Sequence, residues 1–167
     1  MSLRLRTVKR ELRILGIDTC NPTLTVGIVH RGGSYLDGVI GFGGGVIVSR
    51  VLAKEITESK YFPELRLVMI HDPSKLLDPS RIEQTTGLPC VTVSIREERG
   101  RSYRVFSADR QRLWVKTRLD TTTIKRILSL TWKTARLPEP LRVAHILARS
   151  CRLGRYDRVK DKSLLGS

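Results

Sequence analysis

A chain of 167 residues, 40% hydrophobic and 28% charged, is long enough for one domain with a proper core and has the composition of an ordinary globular protein. Its 31 Lys and Arg against 16 Asp and Glu give a formal net charge of +15. Such a field attracts polyanions, nucleic acid first among them, with a general preference for arginine as the bland alternative. No run approaches the length of a membrane span, and Met1–Arg13 is charged where a signal peptide would be apolar, so a cytoplasmic protein is expected. The three distant cysteines, Cys20, Cys90 and Cys151, suit reduced thiols, and no Cys or His spacing points to structural zinc.

Residues 1–12, with Arg4, Arg6, Lys9 and Arg10, form a basic lead-in, either an extra strand or a loose arm. Arg13-Ile-Leu-Gly-Ile-Asp18 is an apolar run ending in an acid, followed at once by the turn residues Thr19-Cys20-Asn21-Pro22. Leu24–His30 then leads into Arg31-Gly32-Gly33, and the two runs read as a hairpin. An acid at the exit of a buried strand costs free energy unless it is paired or metal-bound. The position suits the first metal ligand of a nucleotidyl-transfer fold; a carboxylate that caps the turn is the cheaper explanation.

Ser34–Ile40 reads as a third strand, interrupted by Gly41-Phe-Gly-Gly-Gly45. Val46–Ser59 follows as a helix with Val48, Val51, Leu52 and Ile56 at helical spacing. The glycine-rich segment precedes a helix and could cradle a phosphate, but it matches neither a Walker loop nor a dinucleotide fingerprint, and a flexible turn is the simpler reading. Leu65–Ile70 suits a central strand buried on both faces. Asp78-Pro79-Ser80 opens a helix that ends at Gly87, and Cys90–Ile95 is a fifth strand. Arg96–Arg112 reads as a charged loop with a ragged extension, and Leu113–Lys116 offers one more short strand. Thr121–Trp132 and Glu139–Arg149 read as helices, and Trp114 and Trp132 as core residues.

The order β-β-β-α-β-α-β, then helices, predicts an α/β fold with a mixed five-stranded sheet, three antiparallel strands and then two parallel, flanked by helices. This is the ribonuclease-H-like plan, as a single domain over residues 1–150 with a basic tail at 151–167.

Several segments resemble an archaeal family of unknown function similar to endonuclease V. They are Arg13-Ile-Leu-Gly-Ile-Asp18, Val26-Gly-Ile-Val-His-Arg-Gly-Gly33 with Leu36-Asp-Gly-Val39, Leu67-Val-Met-Ile70 and Gly87-Leu-Pro-Cys-Val-Thr-Val93. Pro138-Glu-Pro-Leu-Arg-Val-Ala-His-Ile-Leu-Ala-Arg149 is the most distinctive. The resemblance spans nearly the whole chain and implies the ribonuclease-H-like fold and an ancestry among divalent-metal nucleases acting on DNA or RNA. The active-site segments depart from the family. Asp18-Thr19-Cys20-Asn21 stands where two acids and a glycine are usual. Gly41–Val46 has no carboxylate in place of an acid-bearing segment. Ile70-His71-Asp72 replaces Leu-Asp-Gly, so His71 takes the acid's place.

Two-metal hydrolysis needs several converging carboxylates, and Mg²⁺ demands oxygen ligands. Asp18 with Asp72 would hold one ion, with His71 favouring Mn²⁺ over Mg²⁺. Asp72 can serve only if its strand has already ended, because a shift of one residue turns the side chain to the other face. The leading expectation is a nucleic-acid-binding protein with a degenerate site, with a ribonucleoprotein as one setting for it. The alternatives are an active metal-dependent endonuclease using Asp18 and Asp72, and a basic interaction subunit that meets an acidic protein. Candidate phosphate contacts are Arg31, Arg96, Arg99, Arg101 and Arg104, with Arg152, Arg155, Arg158, Lys160 and Lys162 from the tail. Tyr103 and Phe106 are candidates to stack on bases. His145 reads as a packed histidine, His30 as facing solvent or phosphate, and Asp37 as a turn or sheet-edge acid.

Overall fold

The computed structural model describes residue 5 and residues 7–21, 23–44 and 47–164, with side chains as far as Cys151. The first run forms β1 (Arg13–Asp18), which is followed by β2 (Leu24–Arg31) and β3 (Tyr35–Gly44). Then come α1 (Ser49–Glu58), β4 (Leu67–His71), α2 (Pro79–Thr86) and β5 (Cys90–Ser94). The chain continues through β6 (Arg104–Ala108), β7 (Gln111–Thr117), α3 (Thr121–Thr131) and α4 (Glu139–Leu164).

All the strands share one sheet in the order β3-β2-β1-β4-β5-β7-β6. β1, β2 and β3 are antiparallel neighbours, while β4 lies parallel to β1 and β5 parallel to β4. That is the expected arrangement, but among the described residues the sheet has seven strands instead of five. The charged span expected as a loop contains β6, and the short strand at Leu113 is the longer β7. Along β7 only Leu113 and Val115 are buried, alternating with exposed Arg112 and Lys116. The strand period was therefore present but masked by charge. Asp109, at φ 53°, lies in the tight connection that folds β6 back on β7.

A second correction concerns the glycine-rich segment. Gly41–Gly44 belongs to β3, with Phe42 opposite Thr25 and fully buried; Gly45 and Val46 lie outside the described residues. The start of α2 follows the expected chemistry. Asp78 accepts from the amides of Ser80 and Arg81, Pro79 opens the helix, and Gly87 closes it at φ 69°. α4 begins at Glu139 as expected but runs on to Leu164, through the stretch read as a tail.

The sheet has an apolar layer on each face. Leu15, Ile17, Val68 and Ile70 pack with Leu52 and Ile56 of α1 and Ile82 of α2. Ile14, Leu67, Met69 and Val91 pack on the other side with Ile124 and Ile127 of α3 and Leu141 of α4. Fully burying each such side chain contributes about 1.5–3 kcal/mol. Val26 and Ile28 of β2 meet Ala144 and Ala148 of α4. On β1, therefore, the alternate residues Ile14, Gly16 and Asp18 look toward α3 and α4. Among the described residues no helix is long and apolar enough to cross a membrane.

Candidate functional site

Asp18 ends β1 and His71 ends β4, and the parallel register sets them side by side. The Thr19 amide donates to the His71 carbonyl at 3.2 Å, holding the two strand ends together. The third member comes from α4. A Cβ on Gly16 would lie 2.5 Å from the Pro140 carbonyl oxygen, so only glycine lets the first turn of α4 lie directly on β1. From there five helical residues rise about 7.5 Å and two strand residues about 6.7 Å, which brings His145 level with Asp18. Asn21 Nδ2 donates to the Ala148 carbonyl at 2.9 Å and ties the loop after β1 to the same helix.

The Asp18 carboxylate is fully buried. Its Oδ2 lies 2.8 Å from His71 Nδ1 and 3.0 Å from His145 Nδ1, and its Oδ1 accepts from the Cys20 amide at 2.9 Å. The two imidazole rings stand 5.9 Å apart at 71°. His71 is buried, whereas 31% of the His145 side chain is exposed, so among the described residues His145 is the more solvent-accessible member of the cluster. Burial pushes the Asp18 carboxyl up, but hydrogen bonds from His71 and Cys20 outweigh it and hold the group below the usual carboxylate range. Burial, followed by the hydrogen bond to Asp18, pushes the Cys20 thiol up to about 12, so it stays neutral and is a poor nucleophile.

The ligand atoms of Asp18, His71 and His145 all lie within 4.8 Å of one another. This set does not fit the two-cation carboxylate centre implied by the resemblance. Asp18 supplies the only carboxylate in the group. Asp72 accepts from Thr19 Oγ1 at 2.6 Å and from the Leu77 amide at 2.7 Å instead. β4 has indeed ended at His71, yet Asp72 is not among the three. Two nitrogens and one oxygen suit a single borderline cation of the Mn²⁺ or Zn²⁺ kind better than Mg²⁺. Adjacent ligands on such an ion stand about 3 Å apart, close to the 2.8 and 3.0 Å between Asp18 Oδ2 and the two imidazole nitrogens.

The candidate phosphate contacts divide. Arg31 is committed to Asp37, with Nε at 3.1 Å and Nη2 at 2.8 Å; Asp37 also takes Arg13 at 2.9 Å. The Arg31 hydrogen bond holds the Asp37 carboxyl below its ordinary range. Arg104 ties β6 to the segment before α3, through Thr121 Oγ1 and the Thr117 and Leu119 carbonyls. Arg96, Arg99 and Arg101 are exposed, with no ion pair among the described residues. The side chains of Arg152, Arg155, Arg158, Lys160 and Lys162 lie outside the described residues, as do Arg4 and Arg6.

His30 is buried with Nδ1 on the Gly32 carbonyl at 3.1 Å and faces neither solvent nor phosphate. Trp132 is buried as expected, but Trp114 is only half-buried. A crevice of about 130 Å³ opens past the ends of β4 and β5 and is lined by His71, Asp72, Thr92, Ser94, Tyr103 and Lys116, among others. The Thr92 hydroxyl is buried without a hydrogen-bond partner among the described residues. His145 was the member of the cluster hidden from sequence reasoning. Its available signal was its place four residues after Leu141, on the helix face that meets the sheet.

No family model matches the chain. It is 31% identical over 187 residues to the UPF0215 protein of Methanopyrus kandleri, covering 87% of this chain and 94% of that one. To the UPF0215 protein of Methanosarcina barkeri it is 27% identical over 182 residues, covering 88% and 94%. Among solved structures it is similar to a protein of unknown function from Archaeoglobus fulgidus, with TM-score 0.68, 18% identity, and coverage of 84% of this chain and 98% of that one. Endonuclease V from Bacillus subtilis superposes with TM-score 0.67 at 10% identity, covering 91% and 86%. An Argonaute of Marinitoga piezophila, solved with guide RNA and target DNA, superposes with TM-score 0.57 at 12% identity, covering 84% of this chain and 29% of that one. The likenesses bear out the resemblance read from the motifs and show an endonuclease-V-like fold.

Proposed function

The chain belongs to the UPF0215 family, and we propose that it is a nucleic-acid-binding protein built on an endonuclease-V-like fold with a degenerate hydrolytic site. One observation carries the reading: the Asp18 carboxylate is fully buried, and the Cys20 amide and two imidazoles occupy its oxygens, with no second acid in the group. A nuclease that activates water between two cations needs carboxylates open to both. Here Asp18 instead joins β1, β4 and α4.

Binding is supported by the net charge of +15, by the exposed Arg96, Arg99 and Arg101, and by the basic residues Arg152, Arg155, Arg158 and Lys160 near the C-terminal end. The endonuclease and the nucleic-acid-bound Argonaute among the structural neighbours support the same partner class. RNA and DNA are both open, and a place within a ribonucleoprotein fits the charge equally well.

A second reading is favoured by the spacing of the three ligand atoms. In it Asp18, His71 and His145 hold one Mn²⁺- or Zn²⁺-class cation, which would supply Lewis-acid polarisation of a phosphate and activation of water. An incubation of labelled RNA and DNA strands with the protein in Mg²⁺, Mn²⁺, Zn²⁺ or chelator separates the two. Intact strands in every condition support the degenerate site. Cleavage that needs metal and vanishes in His145→Ala supports the second reading and overturns the first.

A further inference from the structure

We propose that the outer face of the β5–β7–β6 ribbon is a platform for single-stranded nucleic acid, with Trp114 stacking on an unpaired base and Arg110, Arg112, Lys116 and Arg136 holding phosphates. The inference rests on the nucleic-acid-binding reading and assigns it a surface outside the Asp18 cluster.

The register sets the platform. Trp114 lies opposite Ser94 on one side and Val105 on the other, Arg112 lies opposite Ser107, and Lys116 opposite Thr92. These residues alternate with Leu113 and Val115, which face the α3 layer, so they share the opposite face. On that face Cys90 belongs to the layer under α1 and α2, but Thr92, Ser94, Trp114, Lys116 and Val105 belong to no buried apolar cluster among the described residues. Val105 is 53% exposed and Trp114 is half-buried, so a broad aromatic ring stands in solvent contact on an open sheet.

Charge complementarity selects the occupant. A groove of about 420 Å³ at the tip of the ribbon is lined by Arg110, Arg112 and Arg136 together with Trp114, Gln111 and Ile95. Gln111 Nε2 reaches the Thr134 carbonyl at 3.3 Å, tying the ribbon tip to the α3–α4 connection that carries Arg136. No side chain of Arg110, Arg112, Lys116 or Arg136 makes an ion pair or hydrogen bond among the described residues, unlike those of Arg31, Arg104 and Arg142. Cations free of internal partners lose no pairing on meeting phosphate. An aromatic ring beside unpaired arginines matches a strand whose base faces are exposed, because each base offers a π-face for stacking while its phosphates track the charges. A duplex hides those faces. The same sheet face runs on to the crevice beside His71, which Ser94 and Lys116 help to line.

The test uses the full chain with about 12-nucleotide single strands of oligothymidylate and oligouridylate and with a duplex of the same length. Tryptophan emission and fluorescence anisotropy are read together across a salt series. The platform predicts quenching of Trp114 emission by single strands and weaker binding of duplex. Trp114→Ala should lose roughly tenfold in affinity, whereas Trp114→Phe should keep most of the affinity and lose the quenching, since Trp132 is buried. Arg112→Ala combined with Arg136→Ala should lower the salt slope by about 1.4, at about 0.7 per phosphate contact on a single strand. Thermal unfolding of each variant confirms that it folds. Strong binding with no quenching and an unchanged slope in the double variant overturns the platform and leaves the nucleic-acid reading standing. No binding by the wild-type protein overturns both.

Discussion

Replacing Asp18 is the most informative single change. Asp18→Ala removes the acceptor of the Cys20 amide and of His71 Nδ1, both of which lie at a buried site, and of His145 Nδ1, which solvent can reach. Each buried donor left without a partner costs about 1–3 kcal/mol. The expected loss is therefore about 4 kcal/mol, or roughly 8–16 °C in Tm for a chain of this size. Asp18→Asn keeps an oxygen for the Cys20 amide, and a neutral imidazole can change tautomer so that Nδ1 accepts from the new amide. Its expected cost is smaller, about 1–2 kcal/mol. Urea and thermal unfolding at neutral pH measure both variants. An alanine variant within about 0.5 kcal/mol of wild type, the range of an ordinary surface change, would refute the cluster as the joint between β1, β4 and α4.

Because Asp18 sits below its ordinary range when folded, its stabilisation is complete above the unfolded carboxylate value of about 3.9 and is lost as pH falls through the lower folded value. Stability of Asp18→Asn should consequently fall less than wild type between about pH 5 and pH 2 in an acid titration of urea midpoints. Alkylation followed by mass spectrometry should label the exposed Cys151 first, because Cys20 is pushed up to about 12 and Cys90 is buried with its thiol raised well above normal. Labelling of Cys20 at the rate of Cys151 would contradict the site geometry. Gly16→Ala should destabilise by about 3 kcal/mol or more, because its Cβ meets the Pro140 backbone at 2.5 Å and α4 must lift from β1. Thermal-shift measurements should show little response to Mg²⁺, whose oxygen-ligand requirement this site does not meet, and a Mg²⁺ shift that disappears in Asp18→Asn would contradict the donor-set argument.

Much of the fold could be read where one local force dominated. β1 was found between its observed ends because an unbroken apolar run stops at an acid and an Asn-Pro pair. α2 was found through three independent signals, the Asp78 cap, Pro79 and Gly87. The failures lay where composition hid geometry. In β6 and β7 the arginines occupy the open face of a sheet, so the alternation of Leu113 and Val115 was diluted below a strand signal. The glycines at 41–44 suggested a turn, yet β3 continues through them with Phe42 anchored in the core. Asp18 and His71 were singled out from their places at the ends of apolar runs. His145 was not, because its partner lies 127 residues away and only the press of Pro140 on Gly16 brings the two together. The arginines at 110, 112 and 136, whose side chains have no partner among the described residues, lie outside the denser charge runs that dominate the sequence, of which Arg104 is structural.

A grip on nucleic acid that needs no metal chemistry can be read in one titration. Labelled single-stranded RNA would be titrated with the full chain in chelator across a salt series, and the strand recovered afterwards for sizing. Binding without metal is expected, with an affinity that falls linearly on logarithmic axes as salt rises and strands of unchanged length. Failure to bind in chelator, or binding and cleavage that both appear only when a divalent cation is restored, would contradict it.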